Sequence, residues 1–333
     1  FFQAEDGIRH VERSRGLGDV YKRQVESTGL YSDARILELN SYENRVYQIG
    51  IEEAEPIIAK FYRPDRWSQD QIIEEHSFTQ ELYDHGLSVV APTQIDGRSW
   101  FEYEGFIIAL FPRRGGRAPA VDDLNCLVVL GRFIGRMHNV GAASQFEYRP
   151  VLTSVDYGEI SRSFLLDHQF IPLELEEAYS TVTQHLLAMI SDRFSSIAAK
   201  RLRLHADCHM GNVLWRNEQA HFVDFDDARS GPAIQDLWML LSGDETSRQI
   251  QMKSILTGYR DFRDLDPREL HLIEPLRTLR MMHHAAWIAR RWNDPAFPRA
   301  FPFFNTQKFW SDHILELREQ WAAIEAPVIT LID

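Results

Sequence analysis

The stretch HADCHMGN, residues 205–212, gathers two imidazoles, a thiol, a carboxylate and a carboxamide between apolar neighbours. Three chemistries compete for it. His205, Cys208 and His209 could hold a metal, but zinc wants further ligands at defined spacing, usually a second Cys/His pair. The other cysteine, Cys126, has no such neighbour. Cys208 could act as a nucleophile with a histidine, yet no family-specific cysteine signature supports that. The third chemistry rests on Asp207 and Asn212 and on a further carboxylate downstream of them.

Asp207 and Asn212 are five apart, the D-x-x-x-x-N spacing of a phosphoryl-transfer loop. Twelve residues later, Asp224 closes the apolar run HFV. Phosphoryl transfer needs all three groups. One Asp accepts the proton of the attacking hydroxyl, while an amide oxygen and a second carboxylate hold Mg²⁺ on the phosphates of ATP. An Asp and an Asn five apart are equally the makings of an Asx-turn with no chemistry. The downstream Asp tips the reading towards catalysis.

Such chemistry also needs a cation for the phosphates. Lys60 interrupts the apolar segment IIAKFY, and a buried Lys is costly unless paired. The helix expected from Ser68 to about Tyr83 supplies a partner, since Ile72, Glu75, Phe78, Thr79 and Leu82 share one face. Glu75 falls inside that stripe and Glu74 at its edge. The bland alternative is a snorkelling Lys60 and a solvated Glu75.

The elements that position these groups divide into two kinds. Residues 35–39, 45–49 and 57–62 read as strands, with NSYEN as the first turn. Ser68 with Gln71 makes a capping-box pattern. GFIIALFP reads as a buried strand ending at Pro112, and RRGGRAP as a linker. Beyond it, LVVLGRFIGRMHNV and LEEAYSTVTQHLLAMISDRF carry apolar residues at helical spacing. A strand-loop-strand unit is expected at 202–226, then helices to the end, broken by a loop at NDPAFPRAFPFF. The expected fold class is α+β: a small antiparallel-sheet lobe at 25–112, a hinge near 111–116, and a larger, mainly helical lobe at 113–333. Residues 1–24 begin without Met and lack periodicity, so they read as a non-native or disordered leader.

The totals exclude some functions. The chain has 333 residues and a formal charge of −13, which argues against general nucleic-acid or anionic-membrane binding. Two cysteines cannot build a disulfide framework, which suits a reducing, cytoplasmic setting. No apolar run approaches a membrane span.

The segments LNSYENRVYQ, KFYRPDRW, EEHSF, GRFIGRMH, RLHADCHMGNVLW, VDFDDARSGPAIQDLWMLL, IEPLR and RRWNDPAFP together resemble the aminoglycoside phosphotransferase and choline kinase group of protein-kinase-like folds. The resemblance runs from about residue 36 to 300. It implies a bilobal kinase-like fold with ATP in the interlobe cleft, its adenine against Phe111 to Arg114. It implies that Asp207 is the proton acceptor and that Asn212 and Asp224 are Mg²⁺ ligands, with Asp224 at the D-F-G aspartate position. Lys60 would bind the α/β-phosphates, Glu75 would pair with it, Ser41 would contact ATP, and Asp236 would brace the catalytic loop. The expected partner is a protein Ser/Thr hydroxyl or, alternatively, a small alcohol, with the enzyme acting as a monomer. An inactive nucleotide-binding scaffold is a weaker alternative, disfavoured because no catalytic residue is missing.

The sequence departs from a typical protein kinase in several places. NSYENR replaces the Gly-rich loop, DFD replaces D-F-G, and no A-P-E segment is present. Ala206 stands where Gly is usual, a small change if the backbone there avoids positive φ. Arg277, Arg280, His284, Trp287 and Arg291 fall on one helical face, either a cationic and aromatic wall near the phosphate acceptor or a helix packed on the acidic loop. His205 is expected to pack or bond to backbone, Cys208 and His209 to flank Asp207, and Trp238 to lie in the core.

Overall fold

Alternating side chains on β-branched and aromatic segments produce the first unit. The structure is a computed structural model and describes residues 25–326 except positions 40, 104 and 121. The expected leader, 1–24, and Asn40 of the NSYEN turn lie outside the described residues. Strands β1 (Ser32–Leu39), β2 (Arg45–Ile51), β3 (Ala54–Phe61), β4 (Phe101–Tyr103) and β5 (Phe106–Pro112) form an antiparallel sheet of order β1-β2-β3-β5-β4. Tyr47, Ile49, Ala59, Phe61, Ile108 and Leu110 are buried on one face. The period of two sends Lys60 and Ala109 to the opposite face, where their strands pair them directly. Helix α1 (Gln69–Asp84) brings Ile72 to that second face, packed with Tyr62 and Ala109.

The start of α1 follows its sequence closely. Gln71 N–H donates to Ser68 Oγ at 3.3 Å, and Ser68 N–H donates to Gln71 Oε1 at 2.9 Å. The box therefore satisfies two backbone donors that the first turn leaves open.

The chain divides into two units. The first holds the residues up to Gly116 together with His221–Val223, and the second holds Arg117–Ala220 and Asp224–Asp333. The break thus comes just after the RRGG segment. The second unit contains α2 (Leu124–Gly141), α3 (Ile160–Asp167), α4 (Leu173–Ile197), α5 (Ile234–Trp238), α6 (Glu245–Tyr259), α7 (Ile273–Arg290), α8 (Ala296–Ala300) and α9 (Gln307–Glu325). One of its cores joins α4, α7 and α9 through Tyr179, Leu186, Ile190, Leu279, Met282, Trp310 and Leu317. Helices α2 and α6 meet backbone to backbone. A Cβ on Gly131 would overlap the carbonyl oxygen of Ile255, and one on Gly258 would overlap that of Val128. Glycine is the residue that permits this approach.

Several short elements differ from the sequence expectation. The 202–226 segment holds three strands, not two: β6 (Leu202–Leu204), β7 (Val213–Arg216) and β8 (Gln219–Phe222), with a single 3₁₀ turn at Met210–Asn212. β6 pairs with β9 (Arg229–Gly231). The expected loop NDPAFPRAFPFF contains α8, and β4 and α3 have no counterpart in the expectation. All are eight residues or fewer, too short for periodicity to stand out. Among the described residues no helix is long and apolar enough to cross a membrane.

Candidate active site

The first unit places Lys60 and Glu75 in one buried pair. Lys60 is 6% exposed and Glu75 2% exposed, with Lys60 Nζ 3.9 Å from Glu75 Oε1. The snorkelling alternative fails on those numbers. Tyr62 Oη donates to Glu75 Oε2 at 3.3 Å and lies 2.8 Å from His76 Nε2, and the Lys60 ammonium sits 4.8 Å above the Tyr62 ring. His76 Nδ1 in turn reaches Ser99 Oγ at 2.9 Å. The carboxylate is held by a hydrogen bond as well as by charge, the condition under which a buried ion pair is tolerated. Ser41 is exposed, and its Oγ accepts from Asn44 N–H at 3.3 Å. It caps its own turn between β1 and β2.

The second unit builds the loop that carries Asp207 from beneath. Asp236, fully buried on α5, accepts from Ala206 N–H at 2.7 Å and from His205 N–H at 3.0 Å. Gln235 Nε2 donates to Ala206 O at 2.9 Å, and Trp238 Nε1 donates to Gln235 Oε1 at 3.1 Å. His138 completes the support, with Nε2 3.1 Å from Asp236 Oδ2 and Nδ1 2.9 Å from Tyr259 Oη. Burial pushes the Tyr259 phenol well above its usual range, so it remains a donor. These contacts hold Ala206 at φ 67°, the left-handed region. The condition under which Ala for Gly would be a small change is therefore not met: an alanine in this conformation costs about 1–2 kcal/mol.

Asp207 itself is in contact on both oxygens. Its Oδ2 accepts from Asn212 Nδ2 at 3.2 Å and lies 3.4 Å from His209 Nε2. Arg280 Nη2 lies 2.8 Å from Oδ1, but off the hydrogen-bonding direction, so Oδ1 has an ionic neighbour and no directed hydrogen bond. Burial works to raise the carboxyl's pKa. The His209 hydrogen bond and the charge of Arg280 overcome it and hold Asp207 well below the usual carboxylate range. Asp207 is therefore an anion at neutral pH. The Asn212 amide nitrogen also donates to Asp207 O at 2.9 Å, so its oxygen is the end left for a cation.

Asp224 is exposed and stands at φ 62°, ψ 65°, at the head of the turn Phe225–Asp227. The sequence reading missed what fixes that turn. Buried Arg149 donates through Nε to Ala228 O at 2.7 Å and through Nη2 to Asp226 O. A charged residue inside YRPVL was the available signal, as was His138 inside the apolar stripe of α2.

The remaining candidates separate. His205 is fully buried, its ring 4.5 Å from Phe225, and its Nδ1 accepts from Asp207 N–H at 3.3 Å. Cys208 is fully buried, and desolvation, with Asp236 and Asp207 nearby, pushes its thiol well above the usual range. A thiol that resists ionisation serves neither as nucleophile nor as metal ligand. Among the described residues no group of three or more His, Cys, Asp or Glu could hold a metal ion. Two oxygen donors completed by phosphate oxygens suit Mg²⁺, which rarely takes an all-protein cage.

The structure divides the five-residue face of α7 and favours the reading of a helix packed on the acidic loop. Arg280 lies against Asp207. Arg277 pairs with Glu274 at 3.0 Å and lies 5.0 Å from the Trp238 ring, which is core as expected. His284 and Arg291 lie against Trp287, at 5.6 and 5.1 Å. Helical spacing put all five on one face, but neighbours of different chemistry divide that face.

The model of the phosphotransferase enzyme family matches residues 35–272. The chain is 41% identical over 303 residues to stress response kinase A of Escherichia coli O157:H7, covering 91% of this chain and 92% of that one. It is 40% identical over 303 residues, with the same coverage, to the serine/threonine protein kinase RdoA of Salmonella typhimurium. Among solved structures, the amicoumacin kinase hAmiN in complex with AMP-PNP, Ca²⁺ and Ami matches with a TM-score of 0.73 at 20% identity, over 97% of this chain and 98% of that one. A microcompartment-associated aminopropanol kinase matches at 0.71 and 16%, over 93% and 100%. The fold is that of the protein-kinase-like phosphotransferases, and the chain belongs to the phosphotransferase enzyme family.

Proposed function

We propose that this phosphotransferase is an ATP- and Mg²⁺-dependent kinase that transfers the γ-phosphate to a Ser or Thr hydroxyl of a protein. The observation that carries the reading is Asp207, an ionised carboxylate on a loop locked by Asp236, with one oxygen lacking a directed donor. An acceptor hydroxyl donates to the Asp207 carboxylate. Its own oxygen attacks the γ-phosphorus as the bond to the β-bridging oxygen breaks. The leaving electron pair stays on the diphosphate, and the proton passes to Asp207. Asn212 and Asp224 would hold Mg²⁺, which when bound neutralises charge on the phosphate oxygens. Lys60, oriented by Glu75, binds the α/β-phosphates. Ser41 contacts the nucleotide beside its turn.

The protein acceptor is favoured by relatives at 40% identity or above that are named stress response and serine/threonine protein kinases. The small-molecule kinases among the solved structures are 20% identical or less and speak for the fold alone. Labelled ATP with Mg²⁺, offered to a Ser/Thr-containing protein and to a panel of small alcohols, tests the acceptor. Label in the protein is expected, and label only in an alcohol overturns the choice. Asp224→Ala is expected to abolish transfer, and retained transfer would remove Asp224 from the metal site.

A further inference from the structure

Arg280 touches the one group that the acceptor must also touch. Its side chain is 43% exposed, whereas Asp207 is 21% exposed. Among the described residues its ion pair is with Asp207 and not with Glu274, which is occupied by Arg277 and Arg248. Oδ1 is buried against that half-exposed guanidinium, so the acceptor hydroxyl must approach the carboxylate beside Arg280.

Resting on the proposed function, we infer that Arg280 selects the acceptor by charge: it pairs with an acidic group next to the reacting hydroxyl and, in doing so, draws off Asp207. The acceptor class is a Ser or Thr flanked by a carboxylate. Three features carry this. Arg280 lies off the hydrogen-bonding direction of Oδ1, so a well-aligned partner of its own offers it a better, bidentate geometry. Its side chain is also the more open of the two, 43% against 21% exposed, so it can exchange Asp207 for another anion at small cost.

The third feature is the surrounding charge. His283 is buried on the same helix, stacked on Tyr157 at 4.2 Å. Its pKa falls to about 3, first through burial and next through the charge of Arg229, with Arg290 and Arg280 adding to it against Asp227. Arg229 itself lies 4.9 Å from the Tyr157 ring, paired with Asp227 at 3.0 Å. An ammonium-bearing acceptor would meet Arg280 at close range and be repelled.

The test uses the full chain with ATP and Mg²⁺ and three peptides of equal length, each with one Ser flanked by Glu, by Gln or by Lys. For the wild-type enzyme kcat/KM is expected to fall about tenfold from the acidic to the neutral peptide, the worth of one charge-assisted contact. The basic peptide is expected to be poorer still. Arg280→Glu is expected to invert the order. Arg280→Gln should raise KM for the acidic peptide well beyond any change on the neutral peptide. A melting curve like that of the wild type shows either variant to be folded, and Arg280→Gln serves where the reversal does not fold. A wild-type preference for the basic peptide overturns the inference. So does an equal loss on acidic and neutral peptides in Arg280→Gln, the mark of a residue that only orients Asp207. No label in any peptide from an enzyme that phosphorylates a small alcohol would overturn the protein-kinase reading itself, and the inference with it.

Discussion

The ion pair of the first unit and that of the second are built on opposite plans. Lys60 and Glu75 are sealed, with side chains 7% and 3% exposed, 3.9 Å apart, and Glu75 is further held by Tyr62. Asp207 and Arg280 are 2.8 Å apart and partly open, at 21% and 43%. Desolvation explains the contrast. A sealed pair cannot part without leaving a bare charge in the interior, so its geometry is fixed by the fold. An open pair can exchange one partner for water or for another ion at small cost. Under the proposed function, the first plan suits a cation that must stay in place and the second a carboxylate that must accept a newcomer.

The largest effect is expected from removing one member of the sealed pair. Glu75→Ala removes the carboxylate beside a buried ammonium and is expected to cost about 3–5 kcal/mol in denaturant unfolding. The double change Lys60→Met with Glu75→Leu, apolar and similar in volume, is expected to recover most of that stability. A loss below about 1 kcal/mol in the single variant would mean that Lys60 reaches water.

A buried carboxylate with no ion pair among the described residues offers the next test. Glu269 is 5% exposed and accepts from Ile234 N–H at 3.0 Å, at the start of the helix that carries Asp236. Burial, partly offset by that backbone hydrogen bond, raises its pKa from 4.5 to about 7. The folded state then binds more protons than the unfolded state across that window. The stabilising contribution is complete below the unfolded pKa and is lost as pH rises through the folded one. Relative to Glu269→Gln, the wild type should lose up to about 3 kcal/mol of unfolding free energy over this rise. Parallel profiles for the two proteins would show that Glu269 is already ionised in the fold.

Smaller effects are expected at the loop and at the open pair. Ala206→Gly relieves a left-handed alanine and is expected to stabilise the fold by about 1 kcal/mol. A destabilised variant would locate the strain elsewhere. Arg280→Gln is expected to change stability by less than about 1 kcal/mol, because the lost pair is half-exposed. A loss as large as that of Glu75→Ala would put both pairs in one class.

How much of this was legible in the sequence depended on the range of the interaction. Period two exposed β2, β3 and β5, and the capping box placed the start of α1, because each is local. The inward turn of Glu75 was legible from the stripe Ile72, Phe78, Thr79 and Leu82, all of which are buried. The spacing of Asp207, Asn212 and Asp224 pointed to chemistry, and Asn212 does reach Asp207. His138 and Arg149 were not legible. His138 meets Asp236 across 98 positions and Arg149 meets the Asp226 backbone across 77. No local pattern encodes such pairings. The left-handed backbone of Ala206 was hidden for the same reason, since Asp236 imposes it from 30 positions away. The helical face at 277–291 left two readings open because spacing reports direction and not neighbours.

The proposed chemistry stands or falls on Asp207 taking up the acceptor's proton as a carboxylate already ionised in the resting enzyme. Single-turnover transfer from labelled ATP by Asp207→Asn tests this, since the substitution keeps the shape and removes the charge. With a melting temperature close to that of the wild type, the rate of transfer is expected to fall roughly 10²–10⁴-fold. A rate equal to the wild type's would contradict a proton-accepting role for Asp207.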